Sequence, residues 1–293
     1  MKSRVRGVAA ALGAAVVLLA VYGTAVEPRF ILDVARNDVA LPQLREDADI
    51  EIALLTDLQI GMWWANTGMV ERAVQRAVDA EPDAVLLGGD FVYSTSPDIE
   101  TQVDNVVELL SPLIESGIPT FAVLGNHDYA VDAAEELTTA LEGHGIPVLL
   151  NEALPLERGS GAEEGRLHVV GIGPEVPGLV DAEAALRQVP DDAPRVVLMH
   201  NPTSFPALPA DTAPLAVAGH THCGQIALPG APRWSYLALS AEERIVARGW
   251  APEDYGAAGN RLFVTCGIGF SLLPMRINAP PQIAFFQLTG TAG

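Results

Sequence analysis

The chain has 293 residues, of which 49% are hydrophobic, so it can form one large α/β domain or two small ones. Its formal net charge of −20 repels phosphate backbones and argues against a nucleic-acid partner. Only two cysteines, Cys223 and Cys266, are present, which excludes a disulfide-dense scaffold.

The N-terminal segment has the pattern of a membrane-spanning helix. Lys2, Arg4 and Arg6 precede residues 7–26, which carry no charge. At a rise of about 1.5 Å per residue they span the ~30 Å hydrocarbon core of a bilayer. The positive cluster predicts a cytoplasmic N-terminus, a single-pass anchor over residues 1–26 in the inner membrane, and a periplasmic location for the rest of the chain. The alternative is a cleaved signal peptide and secretion, because Gly23-Thr24-Ala25 fits a cleavage site.

Residues 27–49 are interpreted as a charged connector, and residues 50–290 as the folded domain. From Ile50 onward, apolar runs and helical patterns alternate, which is typical of an α/β fold with buried parallel strands. The predicted helices are 67–80, 98–115, 131–143 and 182–188. The predicted strands are 51–56, 84–87, 120–124, 167–171, 195–199, 215–218, 225–228, 261–265 and 282–288.

Polar residues follow five of these predicted strands. Short apolar runs closed by Gly, Asn or Asp are typical of buried strands that end in loops. We therefore expect five strand ends to bring these side chains to one edge of a sheet. Carboxylate, amide and imidazole groups together suit two borderline divalent cations. The strings are Asp57-Leu58-Gln59, Gly89-Asp90, Gly125-Asn126-His127-Asp128, His200, and Gly219-His220-Thr221-His222.

Each of these residues also has a purely structural interpretation. Asp57 and Asp90 are typical N-caps of helices that follow strands. Asn126 is typical of a turn with positive φ, and His200 could be a hydrogen-bonded core histidine. Five strings in one order, each at a strand end, favour the metal interpretation over these alternatives.

The five motifs, in this order over residues 57–222, resemble those of the calcineurin-like metallophosphoesterases. The string Gly-His-Thr-His-Cys-Gly-Gln-Ile, then Leu-Phe-Val-Thr-Cys-Gly-Ile-Gly and Leu273-Pro274-Met275-Arg276, is similar to a bacterial, membrane-anchored, phosphodiesterase-like branch. The resemblance implies an α/β four-layer αββα sandwich, of the metallo-dependent phosphatase type, with an N-terminal transmembrane helix. It also implies a site for two metal ions at one edge of the sheets.

The resemblance assigns a role to each polar residue. A carboxylate shared by two dications about 3.5–4 Å apart is the arrangement that two-metal hydrolysis uses. A water between the ions would become hydroxide near neutral pH and attack phosphorus. His127 would protonate or clamp the leaving oxygen, and Asp128 would orient His127. One ion would be held by Asp57, Gln59, Asp90 and His222, and the other by Asp90, Asn126, His200 and His220.

Gln59 departs from the family, in which His is the commoner residue. Glutamine offers a neutral carbonyl oxygen, which binds zinc or iron less well than imidazole does. Mn²⁺ is therefore the expected ion, with Fe²⁺/Fe³⁺ and Zn²⁺ as alternatives. The departure also leaves open a degenerate member that binds a phosphorylated ligand without turnover.

The predicted function is hydrolysis of a phosphodiester or pyrophosphate bond in a phosphorylated small molecule or a lipid-linked envelope substrate. Phosphomonoester hydrolysis is the alternative, and no obligate protein partner is expected. Arg233 and Arg276 are candidate substrate-binding residues. Trp63 and Trp64 could line a substrate groove, lie in the bilayer interface, or only pack against the fold.

The two cysteines are expected in loops at the rim of the metal site. Cys223 directly follows the last ligand string, and Cys266 follows a predicted strand. An oxidising compartment favours a disulfide, which would close a loop of about 44 residues and contribute about 4 kcal/mol. Two buried thiols, or a sulfur at the metal, are the alternatives.

Overall fold

Two β-sheets form the centre of the computed structural model, which describes residues 2–156, 166–228, 231–235 and 247–290. The strands are β1 (Asp33–Leu41), β2 (Asp49–Leu55), β3 (Ala84–Leu87), β4 (Thr120–Ala122), β5 (Glu152–Pro155), β6 (His168–Ile172), β7 (Arg195–Met199), β8 (Ala216–Ala218), β9 (Ala227–Leu228), β10 (Ala231–Ser235), β11 (Gly249–Trp250), β12 (Leu262–Val264) and β13 (Gln282–Gly290).

The helices lie outside the sheets. They are α1 (Lys2–Val21), α2 (Glu27–Phe30), α3 (Thr67–Ala80), α4 (Ile99–Ser116), α5 (Asn126–Ala130), α6 (Ala134–Gly143) and α7 (Ala182–Leu186). A π-helical turn, Tyr22–Val26, joins α1 to α2, and 3₁₀ turns lie at Pro202–Ala207 and His222–Gly224.

Parallel strand pairs place several strand ends at the same edge. The first sheet has the order β1-β13-β2-β3-β4, and the second has β11-β12-β8-β7-β6-β5. β2, β3 and β4 are parallel to one another, and so are β6, β7, β8 and β12. The predicted ligand strings follow β2, β3, β4, β7 and β8, so each follows the carboxyl end of a strand.

Three apolar clusters separate four layers. Leu54, Leu86, Val196, Leu198 and Phe286 belong to the cluster between the two sheets. Alternate residues of the first sheet pack against α3, α4 and α6, while those of the second pack against α7 and the turn at Pro202–Ala207. Because both faces of these strands are buried, they are apolar throughout. The arrangement is the predicted αββα sandwich.

β1 lies within the segment that the sequence analysis interprets as a connector. It pairs in parallel with β13 over its whole length and forms one edge of the first sheet. Of its residues only Val39 and Leu41 are buried. An edge strand with one exposed side tolerates charges, which explains why its sequence reads as a polar connector. The first sheet therefore begins at Asp33, ahead of the predicted boundary at residue 50.

The first part of the N-terminal helix lies away from the four layers. The helical segment Arg4–Phe30 is long and apolar enough to cross a membrane; its residues 4–19 are exposed, whereas Gly23, Glu27 and Pro28 near its end are buried. By these criteria it could be a membrane anchor or a signal sequence.

Candidate metal centre

The predicted ligands lie in strained loops at the strand ends. Left-handed backbone costs a non-glycine residue about 1–3 kcal/mol, so the surrounding contacts must hold these loops. Gly89 also has positive φ (85°), and a Cβ there would lie 2.5 Å from the Gly125 nitrogen, so only glycine fits. The left-handed ligands are Asp57 (φ 57°), Gln59 (φ 53°), Asp90 (φ 54°), His220 (φ 71°) and His222 (φ 48°).

Asp90 belongs to two groups of candidate ligands. Asp90, His200 and His220 offer ligand atoms that all lie within 4.8 Å of one another. Asp57, Asp90 and His222 form a second group by the same measure. The two carboxylates are fully buried, as are His200 and His222. Each group is part of one of the two ligand sets expected from the sequence, and Asp90 belongs to both groups.

The His200 ring presents a lone pair to the first group. Its Nδ1 lies 2.8 Å from the Gly88 carbonyl oxygen, so in the neutral ring Nδ1 carries the hydrogen. Nε2 then faces Asn126 Oδ1 at 3.0 Å, Asp90 Oδ1 at 3.3 Å and His220 Nδ1 at 3.2 Å. The acceptor atoms of His200, Asn126 and Asp90 therefore converge on one point. A cation bound at that point would be coordinated by all of them.

A proton can take the place of that cation. Burial lowers the pKa of His200, but the carboxylates of Asp90 and Asp57 outweigh it and raise the pKa to about 9. The donor set of this group therefore attracts positive charge strongly, which fits a divalent ion.

Gln59 supplies an unpartnered oxygen to the second group. Its Nε2 donates to Asp90 Oδ2 at 2.9 Å, while its buried Oε1 has no hydrogen-bond partner among the described residues. An unpartnered buried carbonyl costs about 1–3 kcal/mol. A hard cation bound by this oxygen removes that cost, so the glutamine fits the predicted metal role.

Asp57 faces the same space. Its carboxylate accepts from the His220 backbone N–H at 3.1 Å and from Thr56 Oγ1 at 2.5 Å, and it lies 3.8 Å from His222 Nε2. Burial raises the pKa of Asp57 in spite of the opposing charge on His200. Two dications would favour the ionised form of both buried aspartates.

Arg276 does not fit the predicted role in substrate binding. It is fully buried, and its N–H groups face backbone carbonyls of Gly269, Cys266, Ala279 and His222, at 2.6–3.4 Å. None of its donors faces solvent, so it cannot reach a substrate phosphate. Sequence alone shows an arginine near the site, but not the loop carbonyls that surround it. The side chain of Arg233, the other predicted substrate-binding residue, lies outside the described residues.

Arg276 also contacts a predicted metal ligand, His222. Its Nη2 lies 3.2 Å from His222 Nδ1. Burial and the charge on Arg276 lower the pKa of His222 well below its usual range. The imidazole therefore stays neutral.

Asp128 binds backbone rather than the His127 ring that it was predicted to orient. Its buried carboxylate accepts from the N–H groups of Asp90 (3.0 Å), Gly125 (2.8 Å) and Val92 (2.9 Å). It stands at the third position of α5, where a carboxylate caps the helix and points back to its start. Asp128 thus joins the loops that carry Asp90 and Asn126.

His127 lies beside the metal groups. Its backbone N–H donates to Asp90 Oδ1 at 2.9 Å, and its half-exposed ring stacks on Tyr93 with centroids 4.8 Å apart. Tyr93 is not among the site residues predicted from the sequence, although it follows the Gly89-Asp90 string closely. The half-exposed ring belongs to neither ligand group.

A disulfide joins Cys223 and Cys266, with 4.5 Å between their Cα atoms, as the sequence analysis hypothesised. It ties the loop after His222 to the loop that contains Gly267. A Cβ at Gly267 would lie 2.4 Å from Asp57 Oδ2, so this second loop packs directly on a ligand. With a sequence separation of 43 residues, the bond contributes about 4 kcal/mol through the unfolded state.

Sequence comparisons relate this chain to a known family. A profile of the family described as calcineurin-like phosphoesterase matches residues 50–224, which include all seven predicted ligands. The chain is 30% identical over 246 residues to the protein named phosphodiesterase YaeI of Escherichia coli (strain K12), covering 82% of this chain and 83% of that protein. It is 26% identical over 266 residues to an uncharacterized metallophosphoesterase of Helicobacter pylori, covering 85% and 65% respectively. The crystal structure of a dimetal phosphatase from Danio rerio aligns with a TM-score of 0.41 and 12% identity, over 75% of this chain and 88% of that chain.

Proposed function

Since this chain belongs to the calcineurin-like phosphoesterase family, we propose that it is a two-metal phosphodiesterase that hydrolyses phosphodiester or pyrophosphate bonds. The observation that carries the proposal is the place of Asp90 in both ligand groups. Phosphomonoesters are the alternative substrates, and a degenerate member that binds a phosphorylated ligand without turnover is the alternative function.

The chain's own residues define what each ion would meet. When bound, two such ions supply an acidified water as nucleophile and neutralise the phosphoryl oxygens. Three of the four groups proposed for the first ion are oxygen donors, which favours Mn²⁺ over Zn²⁺ or Fe²⁺/Fe³⁺. The first set is Asp57, Gln59, Asp90 and His222, and the second is Asp90, Asn126, His200 and His220.

His127 is the proposed proton donor to the leaving oxygen. Its backbone contact with Asp90 and its stacking on Tyr93 hold the imidazole at the border between the ligand groups and solvent. A group at that place protonates an alkoxide as it departs. Asp128 and Arg276 act as positioning residues, the first on the Asp90 loop and the second on His222.

The proposed location is the periplasmic face of the inner membrane, with residues 7–26 spanning the bilayer and residues 1–6 in the cytoplasm. The Cys223–Cys266 disulfide supports an oxidising compartment for the folded part. The proposed substrates are phosphorylated small molecules or lipid-linked compounds of the envelope. Secretion after cleavage of the helix is the alternative.

Hydrolysis of bis-p-nitrophenyl phosphate and of p-nitrophenyl phosphate, with Mn²⁺ and after metal removal, tests the proposal. We expect metal-dependent release of p-nitrophenolate, faster from the diester. Faster monoester hydrolysis would replace the diesterase assignment. Absence of hydrolysis from protein that retains two ions per chain would support the non-catalytic alternative.

A further inference from the structure

Four large apolar side chains lie exposed on two loops next to the metal centre. Trp63 and Trp64 are 63% and 53% exposed, and Leu272 and Leu273 are 54% and 42% exposed. We call these four residues the apolar rim. Trp63 and Trp64 follow Gln59 closely in sequence. The leucines follow Gly269, where a Cβ would lie 2.6 Å from Gln59 Cβ.

The tryptophan loop is bound to the end of the N-terminal helix. Arg29 donates from Nη2 to the Trp64 carbonyl at 2.7 Å and from Nη1 to the Ala65 carbonyl at 2.6 Å. Its guanidinium lies 4.7 Å from the centre of the Trp64 ring. Asn66 Nδ2 donates to the Pro28 carbonyl at 2.9 Å. These contacts fix Trp64 against the last turn of the helical segment.

The leucine loop continues into a second contact with the same helix. Arg276 donates its backbone N–H to the Gly23 carbonyl at 2.8 Å, and a Cβ at Gly23 would lie 2.6 Å from Ile277 Cγ1. The buried carboxylate of Glu27 accepts from the backbone N–H groups of Asn278 (2.9 Å) and Ala279 (2.7 Å). The loop around residues 275–279 is therefore seated on the helix between Gly23 and Glu27.

The depth of these contacts sets the position of the apolar rim. If residues 7–26 cross the ~30 Å hydrocarbon core, Gly23 lies within about 5 Å of its periplasmic end. The domain touches the helix at this level, so the two rim loops lie at the boundary between hydrocarbon and headgroups. Tryptophan is enriched at that boundary in membrane proteins, and a cluster of exposed apolar side chains marks an interaction surface.

We infer that the apolar rim docks into the periplasmic leaflet of the lipid bilayer and holds the metal centre at the level of the headgroups. The inference rests on the membrane anchor of the proposed function. The chain's net charge of −20 gives no attraction to anionic lipids. Burial of apolar surface, and not charge, therefore drives insertion of the apolar rim, and we expect insertion into bilayers of zwitterionic phosphatidylcholine.

Quenching by brominated lipid tests the inference on the full-length protein in phosphatidylcholine vesicles. Bromine on the acyl chains near the headgroups quenches tryptophan that lies in the interface. We expect the wild-type protein to lose fluorescence, and the variant Trp63→Phe/Trp64→Phe to lack the quenched component. Leu272→Ser/Leu273→Ser should reduce quenching of the same pair. Leu154→Ser is the matched control and should leave quenching unchanged, because Leu154 is an exposed leucine on β5, at the opposite edge of the second sheet from β12 and the leucine loop.

Two independent measurements separate this inference from the proposed function. Carbonate extraction reports anchoring, and hydrolysis of soluble bis-p-nitrophenyl phosphate in detergent reports activity and folding of each variant. If the protein is anchored but Trp63 and Trp64 are not quenched, the inference is overturned and the proposed activity is left intact. If carbonate extracts the protein from the vesicles, the inference is also overturned. Quenching of the pair in a protein that hydrolyses nothing supports the inference and contradicts the proposed activity.

Discussion

Nη2 of Arg276 lies 3.2 Å from Nδ1 of His222, so a buried guanidinium, charged at neutral pH, stands directly behind a candidate metal ligand. The same guanidinium binds carbonyls on the loop that carries Cys266 and Gly269. One buried cation therefore holds the ligand in its neutral form and the surrounding loops in place.

Replacing Arg276 should destabilise the fold. Arg276→Met leaves the carbonyls of Cys266, Gly269 and Ala279 buried without donors, and we expect a loss of about 3 kcal/mol or more in the free energy of unfolding. Urea unfolding at pH 7 measures it. Arg36→Met, which removes an exposed ion pair with Glu51, should cost less than about 1 kcal/mol. Similar losses for the two variants would contradict the positioning role.

The stability of the metal-free protein should depend on pH through His200. Its pKa is raised to about 9 in the folded chain, from about 6.5 in the unfolded one. Protonation therefore stabilises the fold in full below about pH 6.5, and this contribution is lost as the pH rises through 9.

We expect the free energy of unfolding of chelator-treated protein to fall between about pH 6.5 and 9, since the proton no longer balances Asp90 and Asp57. Protein loaded with divalent ions should not show this fall, because the ions replace the proton. Calorimetry across this range makes the comparison. His144→Gln, a change at an exposed histidine, should leave both profiles unchanged. If the free energy of unfolding of the metal-free protein is the same at about pH 6.5 and pH 9, the carboxylates of Asp90 and Asp57 do not act on His200 as described.

His127 should act on the leaving group alone. His127→Ala is expected to lower turnover of a diester with an alkoxide leaving group by about 10²–10⁴-fold, because that oxygen needs a proton. p-Nitrophenolate needs none, so its release should fall much less. The metal content of His127→Ala should match that of the wild type. The control variant His144→Ala should match the wild type in both activities. Equal losses for the two leaving groups would rule out the proton-donor role.

Gln59 should set the metal preference of the first site. Its unpartnered Oε1 offers one neutral oxygen, whereas Gln59→His offers an imidazole. We expect the variant to retain metal longer during dialysis against a chelator, and its activity to shift from Mn²⁺ towards Zn²⁺ or iron. Gln75→His adds the same group on the exposed face of α3 and should change neither property. Unchanged retention in Gln59→His would mean that residue 59 does not reach the ion.

The strands and the ligand edge are predictable because their signals are local. β3 and β7 have the predicted bounds, since each is a short apolar run closed by Gly or His. β1 is different: as an edge strand it keeps Arg36 and Asp38 on exposed positions, and its sequence resembles a linker.

The roles of Arg276 and Asp128 are not predictable from local pattern. The carbonyls around Arg276 come from loops that only the tertiary structure assembles. Asp128 stands next to His127 in sequence, but helix-capping geometry turns its carboxylate to the backbone of Asp90 and Gly125. Both side chains contact the ligand groups or the loops that carry them.

Metal analysis of Asp90→Asn is the sharpest test of a shared two-metal site, because Asp90 is the carboxylate common to both ligand groups. Protein purified without chelator should carry two divalent ions per chain. Asp90→Asn should lose both ions together with diester hydrolysis, whereas Asp79→Asn on the surface of α3 should lose neither. Retention of two ions per chain in Asp90→Asn would show that Asp90 is not shared between two metal ions.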